Sequence, residues 1–101
     1  MTQDREAGKL VALCYARLKD WTSALAILEK LMTEATEIGV LNLAAECHIN
    51  RGRPDLALPL LQRSLSLLPG QQEAKALEER ARKLLEIKKR PSFFGGPGMI
   101  K

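Results

Sequence analysis

Histidine and cysteine are the side chains of this sequence best suited to catalysis or metal binding, and Glu46, Cys47 and His48 follow one another directly. Neighbouring residues on a helix point about 100° apart, so these three side chains cannot converge on one metal ion or substrate. A histidine base also needs a nucleophile within reach and a third group that orients it. The pattern supplies neither. It predicts a packing or half-exposed role for His48 and no metal site.

The two cysteines, Cys14 and Cys47, lie in apolar stretches and belong to no C-x-x-C pair. Two cysteines are too few for a disulfide framework, which favours a reducing cytoplasmic compartment, with the nucleus as an alternative. We predict that both are buried and unpaired, as small apolar side chains. No glycine-rich phosphate loop and no carboxylate pair facing a cleft is found, so the sequence predicts no cofactor and no enzyme.

Basic residues gather in the stretch 80–90, where Glu86 is the one opposing charge. The basic patch consists of Arg80, Arg82, Lys83, Lys88, Lys89 and Arg90. One interpretation is the solvated face of an amphipathic helix, with cations favoured near its C-terminus by the helix dipole. The other is a site for nucleic acid or an anionic surface. No aromatic residues interleave with the basic ones, so nucleic-acid binding remains the alternative.

The last eleven residues, 91–101, contain two prolines and three glycines and therefore predict a flexible tail. Phe93 and Phe94 stand side by side within it. They fit three interpretations: a disordered end, a short motif for a partner's pocket, or a segment that docks on the chain's own surface.

The overall composition indicates one globular, all-α domain. The chain has 101 residues, of which 46% are hydrophobic and 28% charged. Leucine and alanine contribute 18 and 12 residues, against 2 valines and 4 aromatics. Leucine and alanine favour helices, whereas β-branched and aromatic residues favour strands. No apolar run approaches the roughly 18–20 residues that span a bilayer, so no membrane span is predicted.

Apolar residues recur at helical spacing along most of the chain. The spacing predicts helices over residues 5–18 and 21–36, joined by a short turn in which Asp20 caps the second helix. Helices joined so tightly should fold back on each other as a hairpin. A second helical hairpin is predicted within residues 38–69, and a fifth helix over residues 72–89.

Glycine and proline divide the second hairpin. Gly52 should end its first helix in a left-handed conformation, and Pro54 suits the first turn of the next helix. Pro59 falls inside that helix, so it should kink the helix or move its start to a later residue.

The two hairpins are related by an offset of 33 residues. The offset places Cys14 on Cys47, Ala12 on Ala45, Ala24 on Ala57 and Leu28 on Leu61. Repeats of this length are typical of stacked supersecondary units. Each hairpin would leave an apolar face uncovered unless another unit packs on it. We therefore expect the chain to be the end of a longer solenoid or to pair with a second subunit.

A helical hairpin with this period resembles the tetratricopeptide repeat (TPR) family, over roughly residues 5–70. The matching positions are Ala12 and Ala45, Ala24 and Ala57, Tyr15, Trp21, Gly52 and Pro69. Each unit carries about half of the signature, because His48, Pro54, Lys19 and Thr36 replace the expected residue in one unit or the other. The resemblance implies an α-solenoid over residues 1–90, closed by a capping helix at about 72–89.

In that family the first helices of the hairpins line a concave groove for a peptide or a partner helix. By position, the resemblance places the groove at Glu6, Lys9, Leu10, Leu13, Arg17, Asn42, Leu43, Glu46 and Asn50. Leu13 and Leu43 stand where the subfamily that clamps C-terminal carboxylates carries asparagine, so no such clamp is expected. The sequence thus predicts a non-catalytic scaffold in a multiprotein assembly. Its binding should be almost independent of salt, unlike binding through the basic patch.

Overall fold

The computed structural model describes the backbone of residues 2–89 and the side chains of residues 5–87. Within these residues the chain forms five α-helices and no strand, which confirms the predicted all-helical class. The helices are α1 (Thr2–Arg17), α2 (Trp21–Glu34), α3 (Ile38–Asn50), α4 (Pro54–Leu67) and α5 (Gln72–Lys89). They pack against one another in the order of the chain. None of these helices is long and apolar enough to cross a membrane.

The helix ends differ from the predicted ones by a few residues. α1 begins before residue 5 and ends at Arg17, and α2 ends at Glu34 instead of continuing to residue 36. α4 begins at Pro54, so the expected later start is wrong, and Pro59 lies inside the helix with its ring exposed. A first-turn N–H has no partner within a helix, so Pro54 loses nothing by starting it. Asp20 caps α2 as predicted, with its Oδ1 accepting the Ser23 N–H at 3.2 Å.

Helices α1 and α3 end in the same way, although their turn residues differ. Lys19 and Gly52, 33 residues apart, both have positive φ angles, of 65° and 83°. Two N–H groups then close each helix end in the pattern of a Schellman motif. These bonds join Lys19 to Ala16, Asp20 to Tyr15, Gly52 to Ile49 and Arg53 to His48, at N···O distances of 2.8–3.0 Å.

Replacing Lys19 with glycine should therefore stabilise the fold. A left-handed conformation costs a lysine about 1 kcal/mol, so we expect Lys19→Gly to raise the free energy of unfolding by about 0.5–1 kcal/mol. Gly52→Ala should lower it by about 1 kcal/mol, for conformational reasons alone, because a Cβ there would touch nothing within 4 Å. Urea denaturation of both variants tests this. A Lys19→Gly variant less stable than the wild type would contradict it.

The core consists of two blocks: the first joins α1, α2 and α3, and the second joins α3, α4 and α5. Ala12, Ala24 and Leu28 belong to the first block, and their counterparts Ala45, Ala57 and Leu61 belong to the second. All six side chains are fully buried. The alanines allow the two helices of each hairpin to approach closely, and the leucines fill the space beside them. The second block is completed by α5, which contributes Ala74, Leu77 and Ala81.

Cys14 corrects one prediction. Cys47 is fully buried in the first core block, as expected, but Cys14 is exposed. The two positions are related by the 33-residue offset, yet only α3 has a hairpin packed on that side. Among the described residues, no helix covers the corresponding side of α1. Both thiols are free.

Candidate functional site

The main candidate site is a groove formed by α1, α3 and the start of α5. It encloses about 390 Å³, and the buried Leu28 of α2 forms part of its wall. Its lining residues are Glu6, Lys9, Leu10, Leu13, Leu28, Gly39, Val40, Asn42, Leu43, Glu46 and Glu73. We use the name groove for this set. It contains seven of the predicted site residues, and it leaves out Arg17 and Asn50.

Four lining residues were missed by reasoning from the sequence: Leu28, Gly39, Val40 and Glu73. Leu28 and Val40 have the apolar spacing of core residues, and both are indeed buried, so nothing in their pattern distinguishes a groove wall. Glu73 comes from α5, to which only a capping role was assigned. The one sequence signal that could have placed Glu73 in the groove is its position at the start of α5, next to a chain reversal.

A cluster of ion pairs holds α1 against the start of α3. Glu37 accepts from Arg5 Nε at 2.6 Å and from Lys9 Nζ at 3.1 Å. These two cations hold the pKa of the Glu37 carboxyl below its usual range, with Arg5 the larger cause. Lys9 also donates to Glu6 at 3.1 Å, and its pKa is raised mainly by Glu6 and then by Glu37. The only cation among the groove residues is therefore already bound by two carboxylates.

The two other groove carboxylates, Glu46 and Glu73, have no ion-pair partner among the described side chains. With Glu6 they make the groove acidic, because Lys9 offsets only one of the three charges. The apolar part of the wall includes Leu10 and Leu13, which are 63% and 36% exposed. The groove is thus lined by apolar and acidic side chains, and we call Glu46 and Glu73 its acidic rim. A negative potential of this kind attracts cationic ligands.

Asn42 provides a polar group at the same place. Its side chain is 4% exposed, and its Nδ2 donates to Gln71 Oε1 at 2.8 Å. Its Oδ1 is buried and accepts no hydrogen bond from any described residue. An unpaired buried acceptor costs about 1–3 kcal/mol.

Cys47 and His48 are both unsuited to catalysis. Burial and the nearby Glu46 carboxylate raise the pKa of the Cys47 thiol to about 11, so the nucleophilic thiolate is scarce at neutral pH. His48 is 6% exposed, and its Nδ1 has no partner among the described atoms. Burial lowers the pKa of His48, and the Arg51 cation adds to the effect. The lowered pKa favours the neutral imidazole at neutral pH.

The basic patch is only partly open to a ligand. Arg80 donates to Asn50 Oδ1 at 3.0 Å, and Arg82 pairs with Glu78 at 3.1 Å. Lys83 lies 3.9 Å from Glu79 and is mostly exposed. The side chains of Lys88 and Lys89, all of Arg90, and the tail with Phe93 and Phe94 lie outside the described residues.

Within residues 5–87, no three His, Cys, Asp or Glu side chains are grouped so that they could hold a metal ion. Comparisons with models of known protein families, with curated proteins and with solved structures found no match to this chain.

Proposed function

We propose that the chain is a non-catalytic scaffold for protein–protein interactions. It binds a partner peptide or helix in the groove, as one component of a multiprotein assembly. The observation that carries this proposal is the groove itself, which is lined by exposed leucines and by the unpaired carboxylates of its acidic rim. The occupant has apolar side chains for Leu10, Leu13 and Leu43, and a lysine or arginine for Glu46 and Glu73.

A TPR-like α-solenoid is part of this proposal. Two features support it: the buried alanines that recur at the 33-residue offset, and the matching helix ends at Lys19 and Gly52. In such an arrangement α5 is the capping helix, and residues 1–90 are one repeat domain. The acidic rim also agrees with the expectation that no C-terminal carboxylate is clamped here, because Glu46 and Glu73 would repel it.

Nucleic-acid or anionic-surface binding through the basic patch is the weaker alternative. Asn50 and Glu78 already engage two of its arginines, and Glu79 and Glu86 dilute its charge. Phosphate binding through such a patch is strongly salt-dependent, whereas binding through apolar contacts in the groove is much less so.

Affinity capture with a groove variant tests the proposal. The immobilised chain is exposed to an extract of the cells that express it, with and without nuclease, and bound proteins are identified by mass spectrometry. Glu46→Lys combined with Glu73→Lys reverses the charge of the rim. We expect the captured partner to resist nuclease and to bind this variant at least tenfold more weakly, a loss of about 1.4 kcal/mol or more.

The matched control is Glu79→Lys combined with Glu86→Lys, which makes the same change of charge on α5, away from the groove. This control should retain the partner. A partner that is lost with the control and retained by the groove variant would refute binding in the groove. Bound material that disappears after nuclease treatment, and increases with the control variant, would favour the basic patch.

A further inference from the structure

The side of α1 that faces away from the core carries an apolar stripe. Ala7, Val11 and Cys14 follow one another at steps of four and three residues on one face of the helix, and Leu18, directly after the end of α1, extends this stripe by four residues. All four are exposed, and Val11 and Leu18 are exposed by 45% and 76%. We call this set the outer face of α1. It is distinct from the groove, to which α1 contributes Glu6, Lys9, Leu10 and Leu13.

In the second hairpin the equivalent face is covered by another helix. At the 33-residue offset, Ala7, Val11 and Cys14 correspond to Val40, Ala44 and Cys47 of α3. Those three residues are at most 2% exposed, and they pack in one core block with Leu25, Leu28 and Leu31 of α2. The same kinds of side chain at equivalent helix positions are therefore buried in one hairpin and open in the other.

We propose that the outer face of α1 is the docking surface for a further helical hairpin of this repeat type. The second helix of that hairpin presents a leucine stripe like that of α2. A folded second copy cannot provide it, because α3 already covers the α2 stripe and α5 covers the α3–α4 hairpin. This docking surface lies outside the groove, so the proposal does not depend on the function assigned to the groove.

Cys14 is a built-in reporter for this docking, and Cys47 is its buried reference. The test inserts a second copy of residues 5–37 directly after residue 37, which adds one hairpin in register, since α3 begins at Ile38. The cysteine at position 14 of the first copy is changed to serine. The remaining Cys14 then belongs to the second copy, whose α1 would be covered by the hairpin of the first copy. We expect this thiol to react with a thiol reagent at least roughly tenfold more slowly than Cys14 of the wild type, because reaction then requires local opening.

The control carries Val11→Glu in the second copy, the one that keeps Cys14. Val11 is half-exposed in the chain by itself, so this change should leave the helices folded while it prevents docking. Cys14 of this control should stay as reactive as in the wild type, with unchanged helicity by circular dichroism. The proposal is overturned if the added hairpin leaves Cys14 reactive. It is equally overturned if wild-type Cys14 becomes protected as concentration rises, with a dimer in sedimentation, because the occupant is then a second copy.

Discussion

We expect Leu28→Ala to lower the free energy of unfolding by about 2–5 kcal/mol relative to the wild-type chain. Leu28 is fully buried and packs in the first core block beside Ala24 and Cys47. Its neighbours on α1, α2 and α3 are held by their own helices, so they cannot collapse into the cavity that alanine leaves. A domain of this size is stable by only about 5–15 kcal/mol, so the loss would be a large part of the total.

Urea denaturation followed by circular dichroism measures this loss, and Leu67→Ala is the matched control. Leu67 is 55% exposed at the end of α4, so its truncation should change the free energy of unfolding by less than about 0.5 kcal/mol. Equal effects of the two truncations would show that the first core block is not packed as described.

The second large effect is expected at Gln71, which joins the end of α4 to α3. Its Nε2 lies 2.9 Å from Ser64 O, 2.9 Å from Ser64 Oγ and 3.0 Å from Leu68 O. Its Oε1 accepts from Asn42 Nδ2 at 2.8 Å. Gln71→Leu removes all of these bonds while Ser64 and Asn42 stay buried. We expect the free energy of unfolding to fall by about 2–3 kcal/mol, since buried polar groups are left without partners.

The neighbouring Gln72 offers a control of the same chemistry. It is exposed at the start of α5, so Gln72→Leu should have little effect on urea denaturation. If Gln71→Leu were as stable as Gln72→Leu, the side-chain bridge between α3 and the end of α4 would make no net contribution to the fold. Loss of stability in the Gln71 variant alone is the expected result.

Much of the helical framework could be predicted because its signals are local. Apolar spacing located five helices, and Asp20 and Gly52 marked helix ends by chemistry that depends on a few neighbouring residues. Lys19 could not be recognised as a left-handed residue from its own type. The 33-residue offset to Gly52 was the only indication, because lysine normally avoids that conformation.

The site was predicted less completely, because its burial and charge depend on which helix covers which face. Asn42 was expected to face the groove, but its amide also donates a hydrogen bond to Gln71, almost thirty residues later in the chain. Cys14 was expected to be buried because it lies in an apolar stripe, but such a stripe carries no information about whether a neighbouring helix covers it. The acidic character of the groove required two facts from tertiary structure: Lys9 is already paired, and Glu73 lies beside α3.

The order in which the helices pack also has a consequence for folding kinetics. Because α1 packs on α2, α2 on α3, α3 on α4 and α4 on α5, nearly every core contact joins segments that are close along the chain. Bringing such segments together closes only short loops, so the loss of chain entropy before the first contacts form is small. Proteins with mainly local contacts fold in microseconds to milliseconds. Each hairpin can thus form soon after its second helix has been synthesised, and few long-lived, partly folded chains should accumulate.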